Sequence, residues 1–482
     1  MIVMERKRSG GVLMPVFSLP NGFSCGSFGK EAFAFIDFLT ESGFSVWQVL
    51  PFNVPDGSFS PYSSFSAFGG NPFFIDLFSL VEEGLLTQSE VEAEKQAVAF
   101  SCEYDRLAEN RMPLLKKAAL RVKDYSPIDA FFAENPRLME FCLFMAQKEA
   151  NGGKEWRRWT EPPDREALLA WRFSQFTFFR QWERVHGYAR KKGISILGDL
   201  PFYVAKDSAD VKNSPHLFQL DEKGEPKSVA GVPPDAFSPE GQKWGNPLYD
   251  WKEMKKDGYS WWKERTAFWL SYFDGVRIDH FRAVSSYWSI PAGEETAKGG
   301  HWEKGPGMGL LKALGEVTGG KTVIAENLGT LDEESEKLLQ KSGYPGMAVL
   351  QFGFDGGSDN PHLPHNYREN LVAYSGTHDN NTFLGFLWEC GETTRNALFA
   401  YLGQGKEEEW DSAREKAIRF LLMSRAETVI LPIQDLCGFG GDTRFNTPGK
   451  VGGNWSFRVT AEQMDSLDRS RWLSLNRLYG RK

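Results

Sequence analysis

The stretch FDGVRIDHFRAVSSYW, residues 273–288, decides the reading of the fold. It opens as a short apolar run, then places Arg277, Asp279, His280 and Arg282 where a strand buried on both faces excludes charge. The conflict disappears if those residues close a parallel strand and stand at the open rim of a sheet, where charge meets solvent and ligand.

Six other runs share the design: SVWQVLPF (45–52), GISILGDLPFYV (193–204), KTVIAENLG (321–329), MAVLQFGF (347–354), LVAYSGTHD (371–379) and TVILPIQDL (428–436). Each begins apolar and ends polar. Such runs, separated by helical stretches, predict parallel strands covered on both faces. LDEESEKLLQKSG (331–343) and WDSAREKAIRFLLMSRAE (410–427) are predicted helices, the second with Ala417, Phe420 and Leu421 at helical spacing. With an eighth strand placed at FFIDL (73–77), the repeat predicts an α/β fold of the (β/α)8 TIM-barrel type.

Residues 1–482 are read as a single catalytic barrel with two departures from the βα rhythm. About 80–190 is a helix-rich insertion, in which Leu169, Phe173, Phe176 and Phe179 mark an apolar helix face. About 205–260 is a loop-rich insertion over the active-site groove, with turn signals in DEKGEPKS and GVPPDAFSPEG.

Composition narrows the function. A net charge of −8 without a Lys/Arg block argues against nucleic acid as a partner. The apolar runs are too short to span a membrane, and the N-terminus has no signal-peptide h-region. Cys25, Cys102, Cys142, Cys390 and Cys437 are odd in number and form no CxxC pair, so a reducing, cytoplasmic compartment and no structural zinc are expected. Aromatic residues make up 14% of the chain; most of the Phe is expected in the core, whereas the 16 Trp suit a ligand with apolar faces, such as sugar rings.

Strand alternation then sorts the charged residues. With Val276 and Ile278 facing the helices, Gly275, Arg277 and Asp279 face the barrel axis. Ile324 and Glu326 point inward on the same reasoning, Ser375, Thr377 and Asp379 oppose Val372 and Tyr374, and Asp199 ends its run in phase. Four acids from four strands thus converge on one rim. Glycosidic bond exchange uses such a set: an ionised nucleophile and a protonated acid, roughly 5 to 5.5 Å apart in a retaining enzyme. Arg277 is expected to hold Asp279 ionised, and Glu326, beside aliphatic Ile324 and Ala325, to carry a raised pKa. Taken singly, each feature has a plainer reading: a structural Arg–Asp pair, a capping His378, a turn at GVPPD.

RIDHFR (277–282), IAENLG (324–329), GTHDNNT (376–382), GDLPFYVAKDSADV (198–211), GVPPDAFSPEGQKWGNPLYDW (231–251), SPYSSFSAFGGNPFFIDL (60–77) and NTPGKVGGNW (446–455) together resemble the 4-α-glucanotransferases called amylomaltases or disproportionating enzymes. The motifs span nearly the whole chain in family order. The resemblance implies an α-amylase-related barrel that needs no cofactor. It also implies transfer of α-1,4-glucan segments to the 4-hydroxyl of glucose or another glucan through a covalent glycosyl-enzyme.

By motif, Asp279 matches the nucleophile, Glu326 the acid and base, and Asp379 the third carboxylate. Tyr62, Asp199, Arg277, His280 and His378 match residues around the same sugar. Trp244 matches a loop over the groove, with a loop anchor as the plainer alternative, and Asn446 matches a second loop. Asn327 and Ala283 depart from the family's usual Asp and Gly, and Gly57 offers no aromatic ring for the outlying glucan site of some members. Neither an N-terminal β-domain nor a C-terminal β-sandwich is expected, since 45 residues follow Cys437. A non-catalytic glucan-binding scaffold is the alternative from another class.

Overall fold

The computed structural model describes residues 8–234, 238–329, 332–405, 408–450 and 452–482; Asp235, Ala236 and Phe237 of the GVPPDAFSPEG stretch and Leu331 of the 331–343 helix lie outside them. Twelve strands are present among the described residues: β1 Ser9–Leu13, β2 Val46–Gln48, β3 Ser195–Leu200, β4 Ser228–Val232, β5 Gln242–Pro247, β6 Gly275–Ile278, β7 Ser286–Pro291, β8 His301–Lys304, β9 Thr322–Ala325, β10 Gly346–Val349, β11 Leu371–Tyr374 and β12 Thr428–Pro432. Eight of them pair in parallel in the order β10-β11-β12-β1-β2-β3-β6-β9.

The ends of this sheet meet and close a TIM barrel. Ala325 N donates to Pro345 O at 2.9 Å, and Met347 N donates to the Asn327 side-chain carbonyl at 2.6 Å. Asn327, one of the departures noted above, is thus a seam residue: its amide replaces a ladder bond that the backbone does not make.

The eighth strand is SGGVL at the N-terminus, not FFIDL. Glycine pairs weaken a strand prediction, but these two are demanded by crowding. A Cβ on Gly11 would stand 2.7 Å from Val46 Cβ, and one on Gly10 2.7 Å from Asn476 Oδ1. FFIDL instead begins as a 3₁₀ turn, Pro72–Phe74, with Pro at its first position. Asp76 then caps the helix Leu77–Glu82 by accepting from Ser79 N at 2.9 Å.

Helices cover the barrel in alternation with the strands, Lys30–Glu41 after β1, Arg165–Lys191 before β3 and Ser260–Tyr272 before β6 among them. The connection from β10 to β11 departs from this, with only the 3₁₀ turns Leu350–Gly353 and Pro364–Asn366 described in it. Helix Arg165–Lys191 buries Phe173, Phe178, Phe179 and Trp182, while Leu169 and Phe176 lie at its partly covered margin. Its Trp182 packs on Phe28 (5.1 Å) and Phe52 (4.7 Å), joining the helical layer to the strand ends.

Residues 205–260 are not simply loop. They contribute β4 and β5 to an antiparallel sheet of order β5-β4-β7-β8, completed by the hairpin that follows β6. Alternation in these strands is obscured because only one face finds a core, and that core is small: Val229, Ile290 and Ala297. The run 428–436 also divides, with strand up to Pro432 and helix Ile433–Cys437 beyond it.

Replacing Asn327 by Ala removes the acceptor of the Met347 amide at the barrel seam. The expected loss is about 1–3 kcal/mol of unfolding free energy, whereas Asn327→Asp keeps an acceptor and loses less. Urea denaturation of the two variants against the parent chain measures the difference.

Candidate active site

Arg277 organises the C-terminal mouth of the barrel. It lies on β6 in register with Asp199 on β3, and both side chains are buried. Arg277 Nη1 donates to both Asp199 oxygens at 2.8 Å, and Nη2 donates to Asp279 Oδ1 at 2.8 Å. Burial works against the guanidinium charge, but the two carboxylates outweigh it and hold the Arg277 pKa well above its usual value. Asp199 is sealed, and burial first, then Asp279, push its pKa up while Arg277 opposes them. Asp279, by contrast, leaves 27% of its side chain open at the mouth.

Beyond Asp279 the chain turns sharply. His280 adopts a left-handed backbone with φ of 47°, which is costly for a residue bearing a Cβ and therefore concentrated at sites where the surroundings enforce it. The turn aims His280 N at Glu326 Oε2, 2.8 Å away, while Leu328 N donates to Oε1 at 2.9 Å. Reciprocal main-chain bonds, Glu326 N to Ile278 O and Phe281 N to Glu326 O, both at 3.0 Å, lock the two strand ends together. One peptide unit therefore carries the Asp279 carboxylate and holds the Glu326 carboxyl.

Burial is the largest influence on Glu326. With the Asp279 charge beside it, burial overrides Arg277 and the two amide donors and raises the pKa to about 7. The His280 imidazole is pushed down to about 4, chiefly by burial, with Arg282 adding and Asp279 opposing. It is neutral at pH 7, and its Nε2 has no partner within the protein.

The third carboxylate arrives by a different route. β11 ends at Tyr374, and a turn in which Thr377 N donates to Asn380 Oδ1 at 2.9 Å carries Asp379 to the mouth. The predicted alternation fails here: Tyr374 points inward, its hydroxyl donating to Gln48 Oε1 at 2.9 Å, and Ser375 Oγ bonds Asp435 instead. Asp379 reaches the site because the chain has already left the strand. Asn446 Nδ2 donates to Asp379 Oδ1 at 2.6 Å, and His378 Nε2 lies 3.3 Å from Oδ2. Although burial pushes upward, His378, Asn446 and Arg277 hold the Asp379 pKa well below the usual carboxylate range.

Aromatic rings wall the mouth. Tyr62 donates to Asp199 Oδ2 at 2.8 Å and stacks on His378 with ring centres 5.0 Å apart and planes 15° apart. Trp455 leans on both, at 5.7 and 5.9 Å. On the other side Trp244, 38% exposed on β5, meets the His280 ring edge-on at 4.9 Å, with Tyr203 behind at 6.3 Å.

Every residue picked out by sequence for this site is here: Tyr62, Asp199, Trp244, Arg277, Asp279, His280, Glu326, His378, Asp379 and Asn446. Arg282 is not. It turns outward to lie 3.9 Å from the Trp302 ring centre and 3.3 Å from Asp332. Sequence alone assigns no role to Trp455 or Tyr203, although Trp455 ends the NTPGKVGGNW motif and carries a positive φ of 62°. Among the described residues no cluster of three His, Cys, Asp or Glu side chains is placed to hold a metal ion, and no helix is long and apolar enough to cross a membrane. A cavity of about 750 Å³ opens at the opposite end of the barrel, lined by strand starts such as Ser9, Ser195 and Thr428, and shares no residue with this site.

Comparison with known proteins gives one answer. Residues 14–464 match the model of the 4-alpha-glucanotransferase family. The chain is 40% identical to the 4-alpha-glucanotransferase of Streptococcus pneumoniae, over 99% of this chain and 98% of that protein. It is 41% identical to that of Aquifex aeolicus, over 98% and 100%. Among solved structures, the amylomaltase from Streptococcus agalactiae in complex with acarbose superposes with a TM-score of 0.93 at 36% identity, covering 98% of this chain and 100% of that one. A barrel of this topology, its mouth lined by carboxylates and aromatic rings, and these full-length likenesses lead to one conclusion: the chain belongs to the 4-alpha-glucanotransferase family and is a transferase acting on α-1,4-glucans.

Proposed function

We propose that the chain moves α-1,4-glucan segments from a donor to the 4-hydroxyl of glucose or another glucan by a retaining double displacement. The observation that carries this reading is the shared turn at Asp279–His280, which gives one carboxylate to Arg277 and holds the other, Glu326, by its main chain. In the first step Asp279 attacks the anomeric carbon while Glu326 protonates the departing 4-oxygen, leaving a glycosyl ester. In the second, Glu326 takes the proton of the incoming 4-hydroxyl, whose oxygen displaces Asp279. A pKa of about 7 suits a group that must give and retake one proton near neutrality.

The remaining residues hold the sugar. Asp379, kept anionic and tethered to Asn446, accepts from sugar hydroxyls and favours the distorted ring. His280 offers its unpartnered Nε2 to another hydroxyl, and His378 stands beside Asp379. Tyr62, fixed by Asp199 and His378, gives a flat face to the ring, and Trp244 covers the leaving-group side. Acceptor sugar wins over water because the rings of Tyr62, Trp244 and Trp455 dry the site once the leaving glucan departs. Acarbose, present in the Streptococcus agalactiae amylomaltase structure, is the expected occupant of this groove here.

We take residues 1–482 as one catalytic barrel, with 80–190 as a helix-rich insertion and 205–260 as an insertion that covers the active-site groove. A cytoplasmic setting is supported by five free thiols.

Maltotriose should yield glucose together with dextrins longer than the substrate; a chromatogram with only shorter products at every acceptor concentration contradicts transfer. Glu326→Gln should reduce the maltotriose rate by about 10²- to 10⁴-fold with its circular dichroism spectrum unchanged. Because the first step needs protonated Glu326, log(kcat/KM) should be level below pH 7 and fall as pH rises through about 7. A profile still level at pH 9 would assign the proton to another group.

A further inference from the structure

Two thiols outside the reaction face each other behind the aromatic wall. Cys25 and Cys102 are both buried, at 1% and 7% exposure, and lie close enough for each to shift the titration of the other. Their backbones run alongside, since Glu103 N donates to Ser24 O at 3.0 Å, and both residues border Phe17, whose carbonyl accepts from Gly26 N at 3.0 Å and from the Cys102 thiol at 3.5 Å. A disulfide requires that backbone proximity, with Cα atoms about 4.4–6.8 Å apart.

The two sulfurs differ. Burial raises both, but at Cys25 the Cys102 thiol and the Arg458 and Arg111 guanidiniums prevail and bring the pKa below its usual value. At Cys102 burial and Cys25 itself drive the pKa well up. The attacking and resolving thiols of an oxidisable pair differ in this sense. Beside Cys25 lies a cavity of about 10 Å³, edged by Phe17, Asn53, Pro55, Phe59 and Tyr104, which is the room one water-sized molecule occupies.

We propose that Cys25 and Cys102 form a reversible, peroxide-made disulfide. The Cys25 thiolate sulfur attacks one oxygen of hydrogen peroxide and breaks the O–O bond. Cys25 becomes the sulfenic acid and the hydroxide released takes up a proton as water. The Cys102 sulfur then attacks Cys25 sulfur, and the sulfenic hydroxyl leaves with the Cys102 proton as a second water. Two thiols are oxidised and one peroxide is reduced.

The bond would fasten the active-site wall to the body of the fold. Cys102 N donates to Ser456 O at 2.7 Å and the Tyr104 hydroxyl donates to Trp455 O at 2.6 Å, so the segment carrying Cys102 also carries the Trp455 that leans on Tyr62 and His378.

The test exposes the full chain to hydrogen peroxide, alkylates free thiols under denaturing conditions and maps peptides without reductant. The expected result is a Cys25–Cys102 linked peptide and an intact mass lower by two hydrogens, both reversed by dithiothreitol. Cys102→Ser should instead accumulate a Cys25 sulfenic acid that dimedone traps. Met423, 52% exposed, reports the dose by its sulfoxide. Full alkylation of Cys25 and Cys102 at a dose that oxidises Met423, or a disulfide between other cysteines, overturns the proposal.

Discussion

The buried Arg277 guanidinium is the constraint on which the rest of the structure depends. A cation sealed at the axis of a barrel is tolerated only with its charge neutralised, and removing one partner of such a cluster is worse than never having built it. Asp199 supplies one carboxylate from the neighbouring strand and Asp279 the other from the same strand. That requirement fixes the register of β3 against β6. It also orients Asp279 before any substrate arrives, and Tyr62, bonded to Asp199, inherits its position from the same cluster.

A second cost lies at the next residue. The left-handed turn at His280 and the half-buried Glu326 carboxyl are both unfavourable to the folded state, and each is what the chemistry uses. Glu326 binds its proton more tightly in the folded chain than in the unfolded one, so folding is favoured at low pH. This contribution fades as pH rises from the ordinary carboxylate range through about 7. The site gives up alkaline stability for an acid that still holds a proton near neutrality.

The sequence shows the barrel where strands are short apolar runs ending in polar residues, because burial on both faces leaves that signature directly. It hides β1, whose Gly10 and Gly11 read as a breaker although neighbouring side chains leave room for nothing larger. It also hides β4, β5, β7 and β8, where the sheet rests on a very small apolar core. Within the site, alternation placed Arg277 and Asp199 correctly because they sit inside strands. For Asp379 it reached the right residue on a wrong premise: the turn at Thr377–Asn380, not the pleat, delivers it. Arg282, two positions from His280, leaves for Trp302 because the chain after His280 is a 3₁₀ turn and no longer alternates. The thiol pair could not be read from spacing, since Cys25 and Cys102 meet only through the packing of segments distant in the chain.

The central claim is that Asp279 and Glu326 serve one anomeric carbon. It is tested most directly with Glu326→Gln and an α-maltosyl fluoride donor, whose leaving group needs no proton. The account predicts that the protein gains the mass of a maltosyl group and that peptide mapping finds the ester on Asp279. Fluoride release without an adduct, or an adduct on Asp199 or Asp379, would contradict it.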